Sequence, residues 1–250
     1  VWGWVQPNGV LKDGVCRGLL LRLESEGYIK LPPRKSLPNN PSVNRKKPPK
    51  LQIDETPIQC KLSHLQPIRL LQVRRTPLEK LCNSLIEQYH YLGYTKPVGE
   101  NLKFLAFSQD RPIACFSWSS PAWYIGCRDR FIGWSKEVRE NNLHLIAYQS
   151  RFLILPWVRV PYLASHLLSL STKTISKYWQ DLYRHPLYWV ETFVDTERFK
   201  GTSYKAANWI YLGTTTGRGR LDHTYRQNRS LKAVWGYPLS KDFRRKLCFL

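Results

Sequence analysis

Two carboxylates stand close together in the segment Leu187–Asp195, whose other residues are mostly apolar. Glu191 lies inside this segment and Asp195 ends it. Residues four apart on a strand share a face, and a carboxylate in a buried strand is costly unless it is paired or used chemically. We therefore predict that Glu191 and Asp195 act as a general base or as ligands of a divalent metal such as Mg²⁺. The alternative is a structural ion pair with Arg198 or Lys200.

A second group of candidate catalytic residues combines a histidine with two serines. His90 ends a predicted helix, and Ser119 and Ser120 follow a predicted hairpin strand. A serine–histidine nucleophile is conceivable, but no G-x-S-x-G motif surrounds either serine. The nearby Trp118 and Trp123 are therefore predicted to belong to the core or to stack on an unpaired base.

The charge of the chain favours a polyanionic partner. Its 39 basic and 18 acidic residues give a net charge of +21, and residues 198–250 alone contain twelve basic and two acidic side chains. Tyrosines and tryptophans are interleaved with these cations, as in many nucleic-acid-binding grooves. We predict binding of DNA, with single strands or RNA as variants, and the rival is a solvated basic tail. The predicted contacts are Arg128, Arg198, Lys200, Lys205, Asn208, Arg218, Arg220, Arg226 and Arg229, together with Trp118 and Trp123.

Several classes of protein are disfavoured by what the sequence lacks. No apolar run approaches the roughly 20 residues that span a bilayer, so we expect a cytoplasmic protein with no membrane partner. The six cysteines have no metal-ligand or redox spacing and are interpreted as structural thiols. The stretch Gly213–Arg220 can lay backbone N–H groups against phosphates, but it does not match the phosphate-binding loop of ATPases. Since the chain begins at Val1 and contains no methionine, we expect its natural start to lie upstream.

The hydrophobic pattern predicts two folded parts joined by a linker. In residues 1–33, Val15, Leu19 and Leu23 recur at helical spacing, Gly27 stops the helix, and Tyr28–Leu31 is a short strand. A helix followed by a short basic strand is typical of a winged-helix module, and the alternative is a simple capping helix. Residues 34–56 are predicted to be a basic, proline-rich linker.

Residues 57–250 are predicted to form one α+β domain, a mixed sheet with flanking helices. Apolar runs predict strands at 68–73, 143–147, 152–160 and 187–194, and a hairpin from 102–107 and 112–118. Helical spacing predicts a helix that starts near Pro77 and ends near His90, a helix of about twenty residues from Leu163, and a short helix at 204–209.

Several long motifs are distinctive, namely WVQPNGVLKDGVCRGLLLRLESEGYIKLPP at 4–33, HYLG at 90–93, RDRFIGW at 128–134, NLHLIAYQSRFLILPWV at 142–158, Glu191–Asp195 and Arg198–Gly219. Together these motifs resemble the Druantia phage-defence protein A family. The resemblance covers nearly the whole chain. It implies a role in prokaryotic phage defence or on mobile elements, with partner subunits of a defence system, and it implies no particular catalytic mechanism.

In the main domain, a predicted strand at 152–160 leads into the long helix through Pro161–Ser165, and a short helix with Ala206 and Ala207 follows later. This order of elements resembles the GNAT acyltransferase fold. The loop before the long helix is glycine-rich in acetyl-CoA users, but here it has no glycine, and this departure puts CoA binding in doubt. The resemblance implies Tyr204 or Tyr211 as the acid and Glu191 as the base.

Four functions therefore stay open at the level of sequence. The leading interpretation is a DNA-acting protein of a phage-defence system or mobile element, which binds through a basic cleft lined by aromatics. The rivals are a metal-dependent nuclease or transposase that adds Asp129 or Asp222 to Glu191 and Asp195, a CoA-dependent acyltransferase, and a non-catalytic DNA-binding subunit.

Overall fold

The computed structural model describes Val5 and residues 13–33, 47–217 and 227–249. The chain divides into two compact units, residues 1–46 and 47–250. In the first unit, helix α1 spans Asp13–Ser25, and Gly27 leaves it with a left-handed φ of +81°. The predicted strand at Tyr28–Leu31 is wrong, because these residues have no strand pairing in the described part of the chain. The wing of the expected winged-helix module is therefore not seen.

The second unit is organised around one large sheet. Its strands are β1 (Ile58–Gln59), β2 (Ile68–Gln72), β3 (Asn101–Ser108), β4 (Arg111–Ser119), β5 (Ile146–Ile154), β6 (Val158–Arg159), β7 (Trp189–Asp195), β8 (Ile210–Thr214) and β9 (Lys232–Pro238). Seven of them form the order β2-β3-β4-β5-β7-β9-β8, in which only β5 and β7 are parallel neighbours. The short β1 and β6 pair separately.

Helices cover both faces of this sheet. They are α2 (Glu79–Tyr89), α3 (Gly126–Ile132), α4 (Lys136–Asn142), α5 (Leu163–Tyr183), α6 (Thr202–Ala206) and α7 (Phe243–Cys248). Neighbouring residues of β3 show the two faces, because Phe104 packs edge-on against Tyr178 of α5 while Lys103 pairs with Glu79 of α2. All eight residues of β3 are buried, as expected for a strand covered on both sides. A mixed sheet with flanking helices confirms the predicted α+β class.

One stretch of strand differs from its prediction. The sequence predicted separate strands at 143–147 and 152–160, but the structure has one continuous strand, β5, followed by the two-residue β6. Ser150 is an extra residue in β5, since Gln149 pairs with Trp118 of β4 and Arg151 pairs with the next residue, Ser117. This bulge breaks the alternation of apolar residues and turns Gln149 and Arg151 toward opposite faces.

The segment at 49–56, which we predicted as linker, packs on the main domain and is called the strap below. The Ser84 hydroxyl of α2 donates to the carbonyl of Pro49 and accepts from the amide of Leu51. Further along the strap, Glu55 accepts a hydrogen bond from Tyr89. These bonds hold the strap along α2, so the sheet domain begins earlier than its hydrophobic pattern indicates.

Candidate functional site

The candidate site is a gap between the two parallel strands of the sheet. Strands β5 and β7 pair over only four residues, from Ile146 opposite Trp189 to Gln149 opposite Thr192. Beyond this point β5 runs on to Ile154 and β7 to Asp195 without pairing with each other, although β5 stays paired with β4 and β7 with β9. A cavity of about 420 Å³ lies where they diverge. Open sheets commonly bind ligands beyond the carboxyl ends of strands at such a point.

The cavity reaches both faces of the sheet. On one face it is lined by Gln149, Thr192 and Tyr204, and on the other by Tyr148 and Phe193, the neighbours of Gln149 and Thr192 along their strands. Since side chains alternate along a strand, this lining means that the cavity passes between the strands. The remaining residues of the lining are 89–92, 150–154, 194–195, 199–203 and 232.

A glutamine and a tyrosine fix each other on the α6 side of the cavity. The Tyr204 hydroxyl donates to Gln149 Oε1 at 2.8 Å, and Thr192 donates to the backbone carbonyl of Gln149 at 3.1 Å. Burial raises the pKa of Tyr204, so its hydroxyl keeps its proton. Gln149 is 2% exposed, and its Nε2 has no hydrogen-bond partner in the described part of the chain. The site thus holds one buried donor ready for a ligand.

The edge of β5 supplies backbone groups to the same gap. The amide of Leu155 donates to the carbonyl of Ile113 of β4. Hydrogen bonds alternate along an antiparallel strand, so the backbone groups of Phe152 and Ile154 point away from β4 and into the gap. No residue of β7 pairs with them within the described register. An extended chain that carries amides would complete this edge.

The α2 side of the cavity holds an unusual histidine. Burial, assisted by the nearby Arg151, lowers the pKa of His90 to about 4, so the ring is neutral at physiological pH. Its Nδ1 accepts a hydrogen bond from the amide of Leu92 at 3.2 Å, which leaves the proton on Nε2. Arg151 is held by the carbonyl of Gly93, and burial raises the pKa of Tyr148 to about 12.

Stacked side chains form the entrance on this side. The rings of His90 and Tyr91 stack at 4.8 Å, and Phe199 lies 5.6 Å from Tyr91. The Arg198 guanidinium lies 4.6 Å from the centre of the Tyr91 ring. Tyr91 and Phe199 are 39% and 51% exposed. We call Tyr91, Arg198 and Phe199 the aromatic entrance.

Glu191 belongs to a sealed ionic cluster instead of the cavity. Its Oε1 lies 3.1 Å from Nη1 of Arg128, and neither side chain is exposed. Arg128 Nε contacts Asp129 at 2.7 Å, and Asp129 also accepts from Trp134 and pairs with Arg139. Burial raises the pKa of Glu191 to about 7, although Arg128 favours its charged form. We call Arg128, Asp129, Arg139 and Glu191 the buried ion cluster.

The structure brings together three of the four predicted catalytic residues. His90, Asp195 and Tyr204 line the cavity together with Lys200, a predicted nucleic-acid contact, whereas Glu191 does not. The pair Glu191 and Asp195 gains no support as a metal site, because they lie four positions apart on the strand, which separates their Cα atoms by about 13 Å. Within the described ranges, no group of three or more histidine, cysteine, aspartate or glutamate side chains is placed to hold an ion.

The predicted nucleic-acid contacts divide into buried, exposed and undescribed residues. Arg128 and Trp118 have no exposed surface, so the prediction that they contact nucleic acid is wrong. Arg198, Lys200, Lys205, Asn208, Arg229 and Trp123 are exposed, and their contacts stay a prediction. Arg218, Arg220 and Arg226, as well as Asp222, lie outside the described residues.

Sequence reasoning missed the cavity residues of β5. Gln149 and Arg151 lie in the motif at 142–158, between the strands predicted at 143–147 and 152–160, so the hydrophobic pattern assigned them to no strand. Two polar residues inside a strand that is buried on both faces are a usable signal, because unpaired polar groups are costly there. Phe199 gave no comparable signal.

Comparison with models of known protein families identifies the family of this chain. Residues 22–247 match the model of the family described as Druantia protein DruA. The chain belongs to the Druantia protein DruA family. No curated protein matches this DruA family chain.

Solved structures similar to this DruA family chain are acetyltransferases. One is a spermidine N-acetyltransferase SpeG chimera from Vibrio cholerae and hSSAT, at 12% identity over 70% of this chain and 98% of that one, with a TM-score of 0.42. Another is the ribosomal-protein-S18-alanine N-acetyltransferase from Escherichia coli, at 12% identity over 69% and 94%, with a TM-score of 0.40. A Bacillus subtilis acetyltransferase in complex with CoA has 7% identity over 69% and 99%, with a TM-score of 0.44.

The connection between β5 and α5 shows which part of an acyl-CoA the residues present would fit. The backbone edge at Phe152 and Ile154 fits an extended, amide-containing arm. The connection itself contains no glycine, and the carbonyl of Trp157 within it accepts from Ile58 of β1. The edge of β5 therefore fits the amide-containing arm of an acyl-CoA, whereas this connection lacks a glycine-rich loop that would bind the diphosphate.

Among the described helices, none has both the length and the apolar character of a membrane span.

Proposed function

We propose that this DruA family chain is an acyltransferase whose donor lies in the gap between β5 and β7. The observation that carries the proposal is the buried amide of Gln149, whose nitrogen lacks a partner in the described part of the chain and lies where the two strands diverge. A cavity that passes through a sheet offers a donor and an acceptor separate entrances to one reacting centre.

Gln149 is the group best placed to stabilise charge during acyl transfer. When bound, a thioester donor supplies an activated acyl carbon at the strand divergence. The Nε2 group of Gln149 would donate to the acyl oxygen, where negative charge develops as an acceptor nitrogen attacks. The C–N bond forms, the C–S bond breaks, and the thiol leaves with the proton of the acceptor amine.

Tyr204 would act as a positioning residue for this step. Its hydroxyl occupies Gln149 Oε1, which directs the amide nitrogen toward the cavity. Because the tyrosine keeps its proton, this orientation holds over the neutral pH range. Glu191 does not take the role of base in this proposal, since it is paired with Arg128 away from the cavity.

Binding of a donor analogue tests the proposal. S-acetyl-pantetheine and acetyl-CoA are each expected to raise the melting temperature of the full chain, since a ligand at 100 times its Kd adds about 2.7 kcal/mol of stability. Gln149→Leu should reduce transfer of a labelled acetyl group by about 100-fold, as for loss of one oxyanion donor. Gln180→Leu, an exposed glutamine of α5, is the matched control and should change neither result. If neither analogue stabilises the chain, the proposal is wrong.

A second candidate function is nucleic-acid binding without catalysis. The net charge of +21 and the twelve basic residues in 198–250 favour it. Binding of a labelled single strand should then weaken steeply with salt, with a log–log slope steeper than about −2, because each neutralised phosphate releases counterions. If Gln149→Leu leaves phage defence intact while this binding persists, the non-catalytic function is favoured over acyl transfer.

A further inference from the structure

The aromatic entrance exposes more apolar surface than an isolated side chain would. Tyr91 follows α2 in the chain, and Phe199 follows β7, so two separate elements bring these rings together. His90 extends the stack inward to the cavity. Contiguous exposed aromatics at a cavity mouth mark a binding surface more often than isolated exposed residues do.

Cations without carboxylate partners surround the same entrance. Arg198, Lys200 and Lys232 form no ion pair with any described residue. Asp195 is a carboxylate in the lining, and its Oδ1 accepts a hydrogen bond from the amide of Glu197. The cations therefore outnumber the acids at this mouth, which favours a ligand with negative charge beside a flat ring.

A planar group flanked by phosphates matches both features. We propose that the aromatic entrance binds an unpaired base of a nucleic acid strand, with Tyr91 and Phe199 stacking on the base and Arg198 contacting its phosphate. The cavity behind the entrance, about 420 Å³, admits one nucleotide at a time, so a base must leave its duplex to enter. The inference rests on the proposed acyl transfer in one respect, since it identifies a nucleic-acid base as the class of acceptor.

Quenching of 2-aminopurine tests the stacking directly. A single strand with one central 2-aminopurine is titrated with the full chain at fixed salt and without any donor. We expect quenching on binding, and about tenfold weaker binding for Tyr91→Leu and Phe199→Leu, because stacking contributes about 1–3 kcal/mol per base. Tyr162→Leu removes an aromatic that is 82% exposed at the start of α5, and it should bind like the unmodified chain.

Three results would overturn the inference. They are binding without quenching, equal affinity for an abasic strand of the same charge, and no loss of affinity in either entrance variant. Because no donor is present, the measurement is independent of acyl transfer. Stacking without stabilisation by either S-acetyl-pantetheine or acetyl-CoA would reject the acyltransferase and keep the base-binding entrance. Stabilisation by a donor analogue without stacking would reject the base-binding entrance and keep the acyltransferase.

Discussion

Gln149 and Tyr204 illustrate how neighbouring side chains determine what the cavity offers a ligand. A free glutamine amide would rotate, but the Tyr204 hydroxyl occupies its oxygen and leaves only N–H donors for the cavity. His90 has a similar constraint, because its Nδ1 accepts from the amide of Leu92. Both residues therefore present hydrogen-bond donors at neutral pH.

The pKa of His90 gives a prediction at this scale. Folding lowers this pKa from 6.5 to about 4, so the unfolded chain binds more protons between these pH values. The contribution of His90 to the free energy of unfolding is fully present above pH 6.5 and is lost as the pH falls to 4. An NMR titration of the ring should have its midpoint near pH 4, and His90→Asn should flatten the pH dependence of stability. A midpoint near 6.5 would contradict this.

Arg128 gives a second residue-scale prediction. Arg128→Met leaves Glu191 and Asp129 buried without this cation, and we expect a loss of about 3 kcal/mol in urea unfolding. Adding Glu191→Leu should recover part of that loss, because the uncompensated carboxylate is then gone. Arg69→Met, at an exposed ion pair with Asp110, is the control and should cost less than about 1 kcal/mol. Equal losses of unfolding free energy for Arg69→Met and Arg128→Met would show that the buried ion cluster does not stabilise the fold.

At the scale of elements, β9 depends on a glycine beneath a tryptophan ring. A Cβ on Gly236 would overlap the Trp189 ring, which stacks on Phe243 of α7. Gly236→Ala should therefore displace the ring and destabilise the second unit by about 2–3 kcal/mol in chemical denaturation. Gly18→Ala in α1, where the added methyl meets no atom within 4 Å, is the matched control and should be neutral or slightly stabilising. A neutral Gly236→Ala would show that β9 can shift away from Trp189.

Elements with a regular hydrophobic period were predictable from the sequence. The spacing from Leu163 predicted α5, and the two apolar runs around Ser108–Arg111 predicted the β3–β4 hairpin. The bulge at Ser150 was not predicted, because the three polar residues at 149–151 break the apolar alternation and indicated an interruption between two strands. Helices α3, α4 and α7, of six or seven residues each, were not predicted.

The candidate site was predictable only in part, because some of its features depend on contacts between residues far apart in the chain. His90, Asp195 and Tyr204 stood out as reactive types, and the structure places all three at the cavity. Glu191 stood out for the same reason, but its partner Arg128 is 63 positions away in the chain, and strand spacing carries no information about that contact. The gap itself arises from the limited pairing of β5 with β7, which no local pattern encodes.

At the scale of the whole molecule, the strap at 49–56 sets where the sheet domain begins. A fragment of residues 47–250 keeps the strap, and we expect it to fold and to bind S-acetyl-pantetheine like the full chain. A fragment of residues 57–250 loses the bonds to Ser84 and Tyr89 and should be less stable by about 2–3 kcal/mol, at about 1 kcal/mol per hydrogen bond. Equal melting temperatures for the two fragments would show that the strap is dispensable.

A passage through the sheet has a kinetic consequence for any two-substrate reaction carried out inside it. If two reactants enter from opposite faces, neither blocks the other, and either one can bind first. Both reactants are then bound at the same time, so the transferred group can pass directly from one to the other without a covalent intermediate on a side chain. Initial-rate plots at several fixed concentrations of the second reactant should intersect, whereas parallel lines would indicate that a covalent enzyme form is obligatory.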